Sequence, residues 1–313
     1  MDRKAEPSTI QVSNPTTFKQ KGKQILVYTV EGDFIKFPLI RSLSDFRLFR
    51  EKLRMNWPGI IIPYLDEALQ ENKDETKSIN EFIKELYQLK EIYTSEDFFL
   101  FFSLTPDISQ TLNSTPNETL EEIADKYEKV YIKIAESYFD IDEHYKIVSE
   151  YIIKYKELYK GLKDLNLALA YKLYNSNNIS VSNSYIELLC FSKEEKNKVY
   201  EILEALLSLE PLYRQYLEMR SNVALIEERM KEMVVNQKSV MSFLKMKSPE
   251  EEFNELLSEK LLNEVDMNNI FRIIKYSFYR IESYIKQFNE SNKEEYYEKL
   301  KNSIKDNESP GQP

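Results

Sequence analysis

The spacing of hydrophobic positions changes character along the chain. It begins as short β-branched and aromatic runs, TIQVS (9–13), QILVYTV (24–30) and DFIKFPLI (33–40), separated by KQKGK and EGD. Runs of that kind between turn-forming residues predict a three-stranded meander. Helical spacing follows. Phe46, Phe49, Leu53 and Trp57 share one face of a helix opened by Ser42 as N-cap with Asp45 three residues on. Phe82, Ile83, Leu86 and Leu89 predict a second helix from about Ser78. In SLTPDISQTLNSTPNE (103–118) the pattern gives way to Ser, Thr, Asn and two prolines, which marks a division of the chain. The expected organisation is an α+β domain over 1–105, a linker over 106–116, an all-α domain over 117–304 and a disordered tail over 305–313.

Three helix starts are predicted beyond the linker. Thr115 with Glu118, Ser192 with Glu195, and Ser248 with Glu251 each place a hydroxyl at N-cap and a carboxylate at N3, and Pro116 and Pro249 fall at N1. The helices so defined run over about 117–175, 192–245 and 250–304, the first roughly 90 Å long at 1.5 Å per residue. Tyr127, Tyr131, Ile134, Tyr138, Ile141, Tyr145, Val148, Ile152, Tyr155, Tyr159 and Leu162 alternate steps of four and three along it, a heptad seam. Ordinary coiled-coil core explains each of them singly. A stripe that long exceeds what two further helices of one chain cover, so a dimer is expected. Pro211 falls inside the second helix, where it removes a backbone hydrogen bond and bends the rod.

Composition agrees with the helical bias, since 313 residues contain 22 Tyr and only five Gly. The net charge of −10 is uneven: residues 1–60 hold eleven Lys and Arg against six Asp and Glu, while the remainder is acidic. That balance argues against a nucleic-acid partner. A single cysteine, Cys190, and the lack of an apolar leader suggest a cytoplasmic setting, and apolar runs far short of ~20 residues restrict any membrane role to a peripheral one. Cys190 is expected as a small buried hydrophobe. His144 is the only histidine, so neither a metal cluster nor a triad can be assembled around it, and no phosphate-cradling glycine motif exists. No enzyme and no cofactor are expected.

The stretch IQVSNPTTF, ILVYTVEGDFIKFPLIRSLSDFRLFREKLRMNWPGIIIPYL and then INEFIKELYQLKEIYTSEDFFLFF resembles the phox-homology (PX) domain of sorting nexins. The helices over 115–304 resemble the BAR domain that follows it in the SNX-BAR subgroup. The resemblance implies an α+β PX-like domain ahead of an all-α, three-helix, BAR-like coiled-coil dimer. It also implies a pocket for phosphatidylinositol 3-phosphate, and here the residues depart from the family. Its Arg-Arg-Tyr-Ser-Asp-Phe pattern falls on Arg41-Ser42-Leu43-Ser44-Asp45-Phe46, so Ser42 stands where an Arg grips the phosphate and Leu43 where a Tyr supports the ring. The family's lysine falls on Ala68, beside Asp66 and Glu67, which leaves Arg41 and Lys77 as the plausible cations of the site. A phosphomonoester wants a cluster of cations, so a degenerate lipid site of Arg41, Ser42, Leu43 and Lys77 is expected to bind feebly or not at all.

The resemblance further suggests Trp57, Ile60, Ile61 and Tyr64 as a membrane-inserting loop. Lys154, Lys156, Lys160 and Lys163, with Lys238, Lys245 and Lys247, form a candidate basic membrane patch, expected to meet at one tip of a hairpin; solvated helix ends explain the same lysines. The function implied is that of a peripheral trafficking protein on endosomal membranes, sensing or scaffolding curvature as a homo- or heterodimer with another BAR protein. Two alternatives are an adaptor that docks coat or cargo proteins, and the non-lipid-reading subunit of a heterodimer in a retromer-like sorting complex.

Overall fold

The computed structural model describes residues 10–13, 15–20, 23–33, 35–65, 75–103, 108, 111–112, 118–130, 138–174, 179–236 and 248–308. The chain opens on an antiparallel sheet of β1 (Gln11–Val12), β2 (Thr16–Gln20), β3 (Lys23–Glu31) and β4 (Leu39–Ser42). β3 is central. β1 and β2 both lie along one edge of it, with Val12 opposite Val30 and Thr16 opposite Val27. The edge advances four residues while β3 advances three, so one extra residue is accommodated around Pro15, which has no N–H to give the ladder. The first strand of the expected meander is therefore real but split, and it extends past residue 13. β4 occupies the other edge of β3, with Leu39 opposite Val30 and Ser42 opposite Val27. Pairing there starts only after Pro38.

α1 (Leu43–Asn56) begins as expected: Ser42 accepts from the Asp45 amide, and Asp45 accepts from the Ser42 amide at 2.7 Å. Three further helices follow, α2 (Glu75–Leu86), α3 (Lys90–Tyr93) and α4 (Glu96–Phe101). Phe46, Phe49 and Leu53 of α1 are fully buried beneath Tyr28 and Val30, and Phe49 stacks on Phe101 with ring centroids 4.2 Å apart. This core does not stop at the end of α4. It takes in Ile108 and Leu112, then Ile123, Ala124 and Tyr127 of α5 (Leu120–Val130) and Ile273 and Tyr276 of the last helix.

The helical body consists of α6 (Ile141–Tyr174), α7 (Ile179–Asn236) and α8 (Pro249–Glu308). α6 and α7 are antiparallel: Tyr145 lies against Tyr213 and Tyr159 against Tyr200, with ring centroids 5.0 and 5.4 Å apart. α8 packs back along α7, Lys260 meeting Glu227 at 2.8 Å. Val148, Ile152 and Tyr155 of the heptad seam are buried between them, with Val199, Ile202 and Leu206 from α7 and Ile270, Ile274 and Ile281 from α8.

Several helix boundaries differ from expectation. The single helix over 117–175 is two helices, because Asp140 turns its carboxylate on the amides of Asp142 and Glu143 and starts α6 afresh. Tyr138, on the proposed seam, is 80% exposed just before that start, while Tyr131 and Ile134 lie outside the described residues. α5 is opened by Thr119 and Glu122, which exchange the bonds of a capping box; Thr115 lies outside the described residues. Ser192 caps nothing. It sits buried within α7, which starts earlier, at Ile179, and runs through Pro211 to Asn236. The box at Ser248 and Glu251 does open α8.

Candidate functional site

Arg41, a candidate cation of the degenerate lipid site, is held by the backbone of its own chain. At the end of α4, where helix carbonyls lack partners within the helix, Arg41 answers those of Phe101 and Ser103. Its Nε and Nη2 donate to the Phe101 carbonyl at 3.2 and 2.8 Å, Nη2 also donates to the Ser103 carbonyl at 2.8 Å, and Nη1 to the Ile40 carbonyl at 3.0 Å. The residue is 3% exposed and its guanidinium lies over the Phe101 ring. Burial lowers its pKa, against a raising influence from Asp45. Four of the five guanidinium N–H groups are thus engaged by backbone carbonyls. Ser42 is occupied as the N-cap, and Leu43 packs half-buried against the first core. Lys77 is exposed on α2, 3.9 Å from Glu81. Asp66, Glu67 and Ala68 lie outside the described residues.

The residues expected as a membrane-inserting loop pack against the helical body. Trp57, Ile60 and Ile61 are 2%, 3% and 7% exposed. Tyr64 is half-buried, its ring edge-on to Tyr200 of α7. The turn after α1 needs a positive φ at Gly59 (+79°), and a β-carbon there would lie 2.3 Å from the Ser277 β-carbon of α8 and 2.9 Å from Leu209 of α7. Only glycine brings the turn this close to both helices. The contact is polar as well as apolar. The Gly59 amide donates to Ser208 Oγ at 2.8 Å, and the Ser277 hydroxyl donates to the Pro58 carbonyl at 2.7 Å, which Tyr127 also reaches. Lys126 caps the Trp57 ring at 4.0 Å. Composition alone cannot separate a membrane-seeking loop from an intramolecular wedge; the glycine before three isoleucines was the available signal.

Charge is gathered beside the wedge. Arg50 of α1 donates from Nε to the Pro63 carbonyl at 2.8 Å and pairs with Glu204 of α7, both side chains being under 10% exposed. Arg54 reaches the other Glu204 oxygen at 3.3 Å. One turn earlier on α7, Glu201 accepts from the Tyr64 amide at 2.6 Å. Burial, then Glu85 of α2, pushes its carboxyl up to about 8. Glu85 itself is raised, first by burial and then by Glu81. A cleft of about 440 Å³ opens here between α2 and α7, lined by Tyr64, Phe82, Glu85 and Lys198 among others.

Only one half of the candidate basic patch lies among the described residues. Lys154, Lys156, Lys160 and Lys163 are exposed along α6, whereas Lys238, Lys245 and Lys247 lie outside the described residues. The register places Tyr159 against Tyr200, and α7 is described to Asn236, about 50 Å further along the helix. Cys190, expected in the core, is exposed within α7. His144 is held between the Phe139 and Phe278 rings, centroids 4.0 and 4.5 Å away. No described helix is long and apolar enough to cross a membrane.

No protein-family model matches the chain, and no curated protein does. Among solved structures, the SNX-BAR Mvp1 tetramer determined by cryo-EM is similar, at 14% identity over 94% of this chain and 96% of the other, with a TM-score of 0.43. A likeness of that degree decides neither fold nor function.

Proposed function

We propose that this chain is a non-catalytic, peripheral membrane-trafficking scaffold of the sorting-nexin type, which dimerises through its helical body and has given up the 3-phosphate grip of its PX-like unit. The observation that carries the reading is a row of uncovered apolar residues on rods too long for their third partner. Asp142 meets Arg220 at 2.9 Å, so α6 begins there and the lengths 221–236 of α7 and 249–266 of α8 extend past it. On those lengths Leu225, Val235, Leu261, Leu262 and Val265 are each more than half exposed. A second helical body laid antiparallel would cover them, as contiguous apolar surface on paired helices requires. The buried commitments of Arg41 support the loss of the lipid grip. Endosomal membranes are the setting suggested by the sequence resemblance, with a second BAR protein or a further copy as partner.

Sedimentation with small-angle scattering tests the scaffold: an elongated particle near twice 37.3 kDa is expected, and a compact single-chain particle would end the reading. Liposome co-sedimentation tests the lipid side. Acidic vesicles should retain the protein equally with and without phosphatidylinositol 3-phosphate, and a clear gain with that lipid would restore the pocket. A docking adaptor is the second reading, favoured by the open cleft between α2 and α7; it expects a dimer that no liposome retains.

A further inference from the structure

The joint between the α+β unit and the helical body is closed at Glu201 by a carboxyl that has an acceptor's role and no cation of its own. Two guanidiniums stand nearby, but Arg50 and Arg54 both point to Glu204, one to each oxygen. Among the described residues Glu201 makes no ion pair, while it is 7% exposed and takes the Tyr64 amide on Oε1 at 2.6 Å. The groups that face it come from every neighbouring element. α1 brings Arg50; α2 brings Glu85, itself flanked by Glu81 and Lys84; α7 brings Glu204 and, earlier on the same helix, Glu195 and Lys198; α8 brings Tyr284. Carboxylates outnumber uncommitted cations in this set, so a negative charge on Glu201 would be buried, faced by like charge and bonded through one amide. A neutral carboxyl keeps that bond and removes the repulsion.

We propose that Glu201 is a proton-dependent latch between the two parts of the molecule: protonated, it holds the 57–65 wedge in the α7–α8 groove, and ionised, it lets the wedge go. The direction follows from linkage. A carboxyl raised from 4.5 to about 8 in the docked state weakens docking as it ionises, so the joint is tightest at acid pH and is lost as pH rises through about 8. The latch acts whether or not the helical body dimerises and whatever surface the protein binds.

Trp57, the only tryptophan, lies in the joint at 2% exposure and reports on it directly. Its emission, excited at 295 nm to avoid the tyrosines, is to be followed from pH 6 to 9 in the full chain, with far-UV circular dichroism alongside to show that the helices persist. The wild type should shift to the red with a midpoint near pH 8 while its helical signal stays constant. Glu201→Gln, neutral at every pH and still able to accept from Tyr64, should show no such transition. Identical profiles for the two proteins would overturn the latch, as would a red shift that merely follows loss of helix. If Glu201→Gln fails to fold, Glu85→Gln decides: removing the facing charge should move the midpoint to lower pH, and an unmoved midpoint would overturn the proposal equally.

Discussion

The wedge at residues 57–65 and the far lengths of α7 and α8 have similar apolar content and opposite fates. Trp57, Ile60 and Ile61 are covered almost completely by the chain's own helices, whereas Leu225, Val235, Leu261 and Leu262 stand largely in solvent. The difference is polar. At the wedge the approach of the turn to the helices is accompanied by matched donors and acceptors: Gly59 to Ser208, Ser277 to Pro58, Arg50 to Pro63 and Glu204. Along the far lengths the described polar contacts run between or within helices at the rim, as Glu227 to Lys260 and Glu264 to Lys260 do, and leave the apolar row clear. A surface whose amides and carbonyls are already satisfied internally can accept an apolar cover of either origin. One whose turn carbonyls and amides need side-chain partners has its cover specified.

The comparison can be broken most severely at Gly59. A valine there must adopt a positive φ and place its branches into Ser277 and Leu209. Left-handed strain of about 1–2 kcal/mol and overpacking of about 1–3 kcal/mol together predict a loss of roughly 2–5 kcal/mol, read in urea unfolding with a red-shifted Trp57 in the native baseline. Gly161, on α6, where a β-carbon would meet nothing within 4 Å, should tolerate alanine and gain slightly in helix stability. Next in size is Arg50→Ala. It leaves Glu204 with Arg54 as its one cation in the joint and frees the Pro63 carbonyl, and breaking a buried pair in this way costs about 3 kcal/mol. Arg50→Met with Glu204→Leu, which removes both charges, should recover most of that loss; if it does not, the pair contributes more than neutral packing would.

Much of the architecture was legible, and the misses share a cause. Period and capping chemistry found the sheet, α1 and the start of α8, because those signals act over a few residues. Ser192 misled because Ser followed three residues on by Glu is also compatible with a helix interior, and there Ser192 and Glu195 face inward within an unbroken α7. The break at Asp140 was hidden by a heptad seam that continues in register across it. The candidate site was least legible of all. Arg41 reads as a cation available to a ligand until the carbonyl ends of α4 are brought beneath it from 60 residues away. The wedge reads as exposed until two helices more than 140 residues distant close over it.

On the uncovered side, Leu261→Ser with Leu262→Ser should leave the fold of one chain almost untouched, within about 0.5 kcal/mol, since both side chains are more than half exposed. Self-association should fall at least tenfold in sedimentation. An unchanged dimer would show that the apolar row is covered by nothing and that assembly uses another face.

The smallest effect is expected where the two kinds of surface meet. Arg220 holds Asp142 with two bonds, 2.9 and 3.1 Å, at the point where α6 begins and the uncovered lengths of α7 and α8 start. The hydrogen bonds from Arg220 keep the Asp142 carboxyl below its usual range, so their contribution is present above that range and fades as pH falls through the lowered value. Both side chains are about half exposed, and solvent screening holds such a pair to about 0.5 kcal/mol. Arg220→Ala should therefore shift the urea midpoint slightly at neutral pH and not at all near pH 2. High salt should remove most of the difference. A loss several times larger would mean that the ion pair anchors the start of α6 rather than decorating it, and the boundary between covered and uncovered helix would then be set by charge instead of by the length of α6.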